Sequence, residues 1–270
     1  MVTGIGQDAR AVAPERGRLA RLRARFATLH WWHEVVLLGL LYLAYEIARG
    51  MVDQDLPTAL ANGHSLLDWE RDLHLDPERW LNMTLHRSLV LAVGFSYYYA
   101  LLHYLITPVV LVWMYRCHVD YYRRARSWLI ASTMLGLIGF AALPTAPPRL
   151  LRIGFHDTLA DVQHWGWWGG EASAPKGFGG LTDQFAAMPS LHVGWALWCG
   201  VLLFRFARNR YLRVLGVLYP LITAVVVMST ANHYLVDVLA GVVVMVLGAG
   251  LVWGVVVIRN RVVMRHLLRA

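Results

Sequence analysis

At 270 residues, 57% hydrophobic and of positive mean hydropathy, the chain carries its apolar residues in long runs, not dispersed by helix or strand periodicity. That excludes an ordinary soluble domain. The formal net charge of +8 is sorted along the chain by side, which argues against nucleic acid as a partner.

Residues 1–32 are polar and hold six arginines from Arg10 to Arg25, with no small-residue cleavage site after the first apolar run. They read as a cytoplasmic basic tail, not a cleavable signal peptide. Six apolar runs follow: His33–Ala48, Ser88–Met114, Ser127–Leu143, Ser190–Phe206, Leu212–Ser229 and Tyr234–Ile258. A membrane-crossing helix needs about 20 such residues, so the first and third must borrow flanking turns, with Trp31, Trp32 and Trp128 at interfacial positions. Four arginines lie at Arg116–Arg126, four at Arg205–Arg213 and four at Arg259–Arg269, so with the tail 18 of the 25 basic residues fall on one side of this plan. The positive-inside rule makes that side cytoplasmic, with both termini inside and three loops outside. The expected fold is an all-α membrane protein, a bundle of six transmembrane helices with interfacial segments in the outer loops. Its parts are a tail over 1–32, a catalytic bundle over 33–258 and a cytoplasmic C-tail over 259–270. In the first outer loop, Leu66–Leu75 and Pro77–Leu85 are amphipathic and suit interfacial helices. The loop over 144–189 is rich in Pro, Gly and Trp and reads as irregular ordered structure. Cys117 and Cys199 fall in different spans at different depths, so no disulfide and no thiol chemistry is expected.

Ionisable groups at a membrane edge are functional candidates, because burying them is costly. Two segments stand out, Met188-Pro189-Ser190-Leu191-His192 and Asn232-His233-Tyr234-Leu235-Val236-Asp237. Pro189 suits the first position of a helix, which puts Ser190 and His192 on the first turn of the fourth span, at its outer end. His233 and Asp237 fall on the first turns of the sixth span, also outside, and the third span ends outward at Pro144–Arg149. Topology alone therefore brings three distant segments to one face. His233 and Asp237, spaced i, i+4, are neighbours on a helix. A carboxylate there can accept a hydrogen bond from one ring nitrogen, which fixes the tautomer and leaves the other nitrogen to attack. His192 can protonate a leaving alkoxide and then activate water, while the Arg149 fork matches phosphate oxygens. A zinc site on these residues is disfavoured, since they offer three ligands and no supporting cluster.

Other groups have plainer readings. His30, His64, His74, His86, His118, His164 and His266 have no partner in sequence and read as structural or surface residues. Glu70 suits a helix cap or surface charge as well as a site. His103, inside a span, suits a buried hydrogen bond as well as a substrate contact. The Trp165-Gly166-Trp167-Trp168 cluster reads as an interfacial anchor.

With these residues in order, the chain from about Leu67 to Gly241 resembles the type-2 phosphatidic acid phosphatase superfamily, in the branch of inositol phosphorylceramide synthase-like proteins. Pro189-Ser190-Leu191-His192 matches its Pro-Ser-x-His signature, and His233 to Asp237, followed by Gly241, matches His-x-x-x-Asp. Pro144–Arg149 and Gly154-Phe155-His156-Asp157-Thr158 look like the branch's version of the first signature region, and Glu70, Tyr99 and His103 fit its pattern. The resemblance implies His233 as nucleophile, Asp237 as its partner, His192 as acid/base, Arg149 and Ser190 as phosphate ligands, and neither metal nor cofactor. Tyr99, His103 and Asn232 are candidate substrate contacts. Two superfamily cations are missing, with Ala142 and Val227 in their places; Arg152 and Lys176 are the candidate substitutes. The resulting expectation is a lipid phosphatase acting on a lipid phosphate or diphosphate through phosphohistidine at the outer face of the plasma membrane. A phosphotransferase that hands the group to an alcohol acceptor is the main alternative. A lipid-binding or transport protein that kept the fold without the chemistry is the second.

Overall fold

The computed structural model describes residues 31–50, 56–151, 153–168, 185 and 187–267. The chain divides into two units, Met1–Ala44 and Tyr45–Ala270. The helix α1 (Trp31–Gly50) runs across that division. The second unit holds α2 (Leu56–Asp72), α3 (Pro77–His86), α4 (Leu89–Cys117), α5 (Val119–Ala142), α6 (Thr158–Asp161), α7 (Leu191–Phe206), α8 (Arg210–Ser229) and α9 (Leu235–Leu267). Short 3₁₀ turns lie at Pro148–Leu150 and Gln163–Trp165.

Four helices, α4, α5, α8 and the Leu235–Val262 part of α9, are long and apolar enough to cross a membrane. α7 is apolar but has only 16 residues, and α1 has 20. Six crossings are therefore an expectation that four helices meet by length and composition. The spans begin and end differently from the apolar runs because polar residues cap them. Ser88 accepts a hydrogen bond from Leu91 N–H and starts α4, and Asn209 accepts from Tyr211 N–H and starts α8 two residues before the apolar run. α5 begins eight residues ahead of its run, at Val119, and so takes in Arg123, Arg124 and Arg126. α9 continues through Leu267 across most of the segment read as a C-tail. In the first loop, residues 66–72 end a 17-residue helix, not a short one, and residues 73–75 lie beyond it.

α7 is the hub, packed against α4, α5, α8 and α9. Between membrane helices there is little hydrophobic driving force, so close contact of small residues holds the crossing. At the α7–α8 crossing a Cβ on Gly200 would stand 2.2 Å from Gly216 O, and one on Gly216 would stand 2.7 Å from Gly200 O. Any larger residue would push these backbones apart. The ends of α4, α7 and α9 and the start of α5 carry the arginines; Arg124, Arg205 and Trp253 line one common groove there. The opposite ends carry the site. Two apolar clusters flank it. One joins Leu85, Tyr99, Leu159, Trp168, Val193, Val227 and Val238, and the other joins Ala59, Leu67, Ala146, Leu151, Phe185 and Tyr234. Trp168 departs from the interfacial reading: it is fully buried and its indole N–H donates to Leu159 O at 3.0 Å, whereas Trp165 and Trp167 are exposed. Both cysteines are free, Cys117 exposed and Cys199 buried.

Candidate active site

The start of α7 differs from the sequence expectation. The helix begins at Leu191, so Pro189 lies ahead of the first helical position and Ser190 is the cap. The fully buried Ser190 hydroxyl accepts from Val193 N–H at 3.5 Å. Its backbone N–H donates to Asp237 O at 2.9 Å, tying the start of α7 to the first turn of α9. That bond requires close backbone approach, which Gly241 allows: a Cβ there would stand 2.4 Å from Ser190 O.

His233 also sits differently. α9 starts at Leu235, so His233 precedes the helix instead of lying on its first turn. It still reaches Asp237, with Nδ1 at 3.4 Å from Oδ2. The same oxygen accepts from Tyr234 N–H at 2.9 Å, the return half of a capping box, in which an acid on the first turn holds the backbone ahead of it. Nδ1 lies 2.9 Å from Ala187 O as well. A carbonyl only accepts, so Nδ1 carries the proton and Nε2 keeps its lone pair. Two acceptors, one neutral and one carboxylate, thus select one tautomer of a ring that is only 4% exposed.

His192 faces this ring edge-on, with centroids 5.7 Å apart. Tyr99 stacks on His192 at 4.5 Å and His103 meets it edge-on at 4.4 Å. These two α4 residues, candidates for substrate contact, pack against the His192 ring.

Arg149 is buried in the 3₁₀ turn after α5. Its Nε donates to Asn232 Oδ1 at 3.0 Å and its Nη1 to Asp157 Oδ2 at 3.1 Å. Asn232 is therefore a positioning partner of the guanidinium. Its own amide donates to Thr230 O and Oγ1 at 3.2 and 3.0 Å. The backbone N–H of Arg149 donates to Ala231 O at 2.9 Å, so the turn and the α8–α9 connection are fixed together. Of the two superfamily cation positions, Val227 is buried in the apolar cluster and Ala142 is exposed at the end of α5. Arg152 and Lys176 lie outside the described residues.

Sequence reasoning assigned no role to Asp157 or Asn82. Asp157 caps α6 through Ala160 N–H with one oxygen and holds Arg149 with the other. Asn82, fully buried on α3, accepts from His156 N–H at 2.8 Å and donates to His156 O at 3.1 Å, Thr158 Oγ1 at 3.3 Å and Ser229 O at 2.9 Å. One amide thereby joins α3, the 154–161 loop and the end of α8. Asp157, within the 154–158 segment that resembled the first signature region, was the signal in the sequence for this clamp.

Among the described residues, the group that could hold a metal ion is not the His192, His233 and Asp237 set. It is His86, His156 and Asp161, whose donor atoms lie within 4.8 Å of one another. The two imidazoles are stacked 3.5 Å apart and 5° from parallel, so their in-plane lone pairs run side by side instead of converging. One ring would have to turn before both could bind one ion.

A family model described as the PAP2 superfamily matches residues 64–251, which is 188 of the 270 residues and takes in Arg149, His192, His233 and Asp237. No curated protein and no solved structure matches the chain.

Proposed function

The chain belongs to the PAP2 superfamily and is a membrane protein; from that premise we propose that it hydrolyses a lipid phosphate or diphosphate through a phosphohistidine on His233. The observation that carries the reading is the fixed tautomer of His233, with Nδ1 between Ala187 O and Asp237 and Nε2 left as the nucleophile.

In the first step Nε2 attacks phosphorus, the P–N bond forms and the bond from phosphorus to the lipid oxygen breaks. His192 gives its proton to the departing alkoxide. In the second step His192 takes a proton from water, the water oxygen attacks phosphorus, the P–N bond breaks and phosphate leaves. Positive charge that grows on His233 is offset by Asp237. Arg149, already bound on two nitrogens, presents a pre-oriented cation to the phosphoryl oxygens. The N–H groups at the start of α7 favour an anion there. The sorted arginines support an outward-facing site and termini inside, in a plasma membrane. The wider superfamily includes transfer chemistry, and the same intermediate can be captured by an alcohol. Whether water wins is decided by the acceptor pocket.

The test is phosphate release from a panel of lipid phosphates by purified protein in detergent and EDTA, with His233→Ala and His192→Ala alongside. Release that both substitutions abolish supports the reading. Phosphate appearing on an added alcohol, with none released, replaces hydrolysis by transfer. Release that persists in His233→Ala removes the assignment of the nucleophile.

A further inference from the structure

Two carboxyl groups that the mechanism does not use lie directly under the reactive turn. Glu70 is near the end of α2 and Glu78 in the first turn of α3, and they are 1% and 0% exposed. Glu70 Oε1 accepts from Val236 N–H at 2.7 Å. Val236 is on the first turn of α9, one residue ahead of Asp237. Among the described residues no N–H or hydroxyl donor reaches Glu70 Oε2 or either oxygen of Glu78. The two buried side chains instead act on each other. Two bare charges that close in a buried setting would repel, which favours one proton held between them.

The surroundings say where the proton resides. Glu78 follows Pro77 at the start of α3, where free N–H groups and the helix dipole favour a carboxylate. Glu70 is driven toward the neutral acid, up to about 9, first by burial, then by the Glu78 charge, with Val236 N–H opposing and Asp237 adding to the rise. Burial also raises Glu78, with Asp76 and Asp237 as further like charges. Tyr234, between these acids and the site, is pushed up by burial and stays a phenol donating to Ala146 O at 2.8 Å. Arg149, on the turn packed against α2, is committed to Asn232 and Asp157. The α4 and α8 faces against α3 add no acid or base to the groups acting on either carboxyl.

We propose that Glu70 and Glu78 are positioning residues that share one proton. Neutral Glu70, held by Glu78, fixes Val236 N–H and with it the Tyr234–Asp237 turn that sets Asp237 against His233. Removal of the shared proton converts the holding pair into a repelling one beside Asp237 and releases the turn. This inference rests on the reading of His233 and Asp237 as the reactive pair.

Glu70→Gln mimics the neutral acid: its carbonyl oxygen can accept from Val236 N–H and its amide can donate to Glu78. Glu70→Ala leaves both unpaired. In purified full-length protein, thermal unfolding and phosphate release are followed from about pH 7 to about pH 10 for wild type and both variants. A group with a raised folded-state value holds a proton that the unfolded chain lacks. Its contribution is complete below the ordinary carboxyl value of 4.5 and is lost as pH rises to about 9. Wild type is therefore expected to lose thermal stability and kcat toward alkaline pH, and Glu70→Gln to keep both. Glu70→Ala at neutral pH is expected to lower kcat by about tenfold or more with KM within about twofold, the mark of misplacement and not lost binding. Identical stability–pH curves for wild type and Glu70→Gln overturn the proposal, even if Glu70→Ala fails to fold. The unfolding comparison needs no turnover. Absent phosphate release, or release surviving in His233→Ala, overturns the functional reading instead.

Discussion

Gly241 offers the sharpest test of how the two halves of the site are held together. A Cβ on Gly241 would stand 2.4 Å from Ser190 O, 3.2 Å from Ser190 C and 3.5 Å from Ser190 N. Ordinary contact begins at 3.4 Å, so Gly241→Ala must open the α7–α9 gap by about 1 Å. The neighbouring atoms are backbone and cannot rotate aside. The first bond lost is Ser190 N–H to Asp237 O, now 2.9 Å, because a further ångström takes it beyond hydrogen-bond range. Overpacking of this kind costs about 1–3 kcal/mol of stability. A displacement of about 1 Å between reactive groups costs about 100-fold in rate. Gly250→Ala, on the same helix with nothing within 4 Å of the new methyl, is the internal control. It should gain up to about 1 kcal/mol of helix propensity and leave turnover alone. Unfolding midpoints and kcat for phosphate release, measured on both variants in one detergent, decide the matter. A Gly241→Ala protein as active and stable as Gly250→Ala would refute the claim that this approach sets the site.

Arg149→Lys keeps the charge and loses the planar fork that binds Asn232 and Asp157 together, so KM for a lipid phosphate should rise by roughly tenfold or more. Asp157→Asn should raise KM in the same direction by a smaller factor, since the α6 cap can survive on the remaining oxygen; steady-state kinetics on both variants checks the order. Asn82→Ala strips partners from His156 N–H and O and from Ser229 O. Each buried orphan costs about 1–3 kcal/mol, and hydrogen exchange of residues 154–161 should rise well before the rest of the chain. Asp237→Asn retains a hydrogen-bond acceptor for His233 and removes the charge, so kcat should fall by roughly 10²–10⁴ while EDTA leaves the wild type unchanged.

The juxtaposition of the candidate site residues was legible in the sequence because their spacing survives a change in local structure. His233 and Asp237 meet although His233 is not helical, because the capping turn brings the chain back over the same distance. Topology also placed Arg149 on the face of His192 and His233, since span direction depends only on where apolar runs start and stop. What stayed hidden were tertiary pairings with no local signature. Asn82 looks like any polar residue on an amphipathic helix, and nothing near it in sequence points to partners 74 and 147 positions away. Glu70 and Glu78 look like helix surface charges until the fold buries both. Tyr99 and His103 were picked out, but their packing against the His192 ring is invisible before the helices are set side by side.

The short central helix has a consequence for how a substrate reaches this chemistry. Sixteen residues rise about 24 Å, against about 30 Å of hydrocarbon. On the proposed orientation, with its Arg205 end at headgroup depth, α7 would fall short of the opposite headgroups by about one turn. The bilayer would then thin or water would fill the gap. On the proposed function, the phosphate of a lipid would descend into that gap while its acyl chains stay in the leaflet. Drawing the lipid out instead would cost about 0.8 kcal/mol per methylene, more than 10 kcal/mol for a chain of about sixteen carbons. On that reading, a helix shorter than the bilayer would spare the protein the work of lifting its substrate.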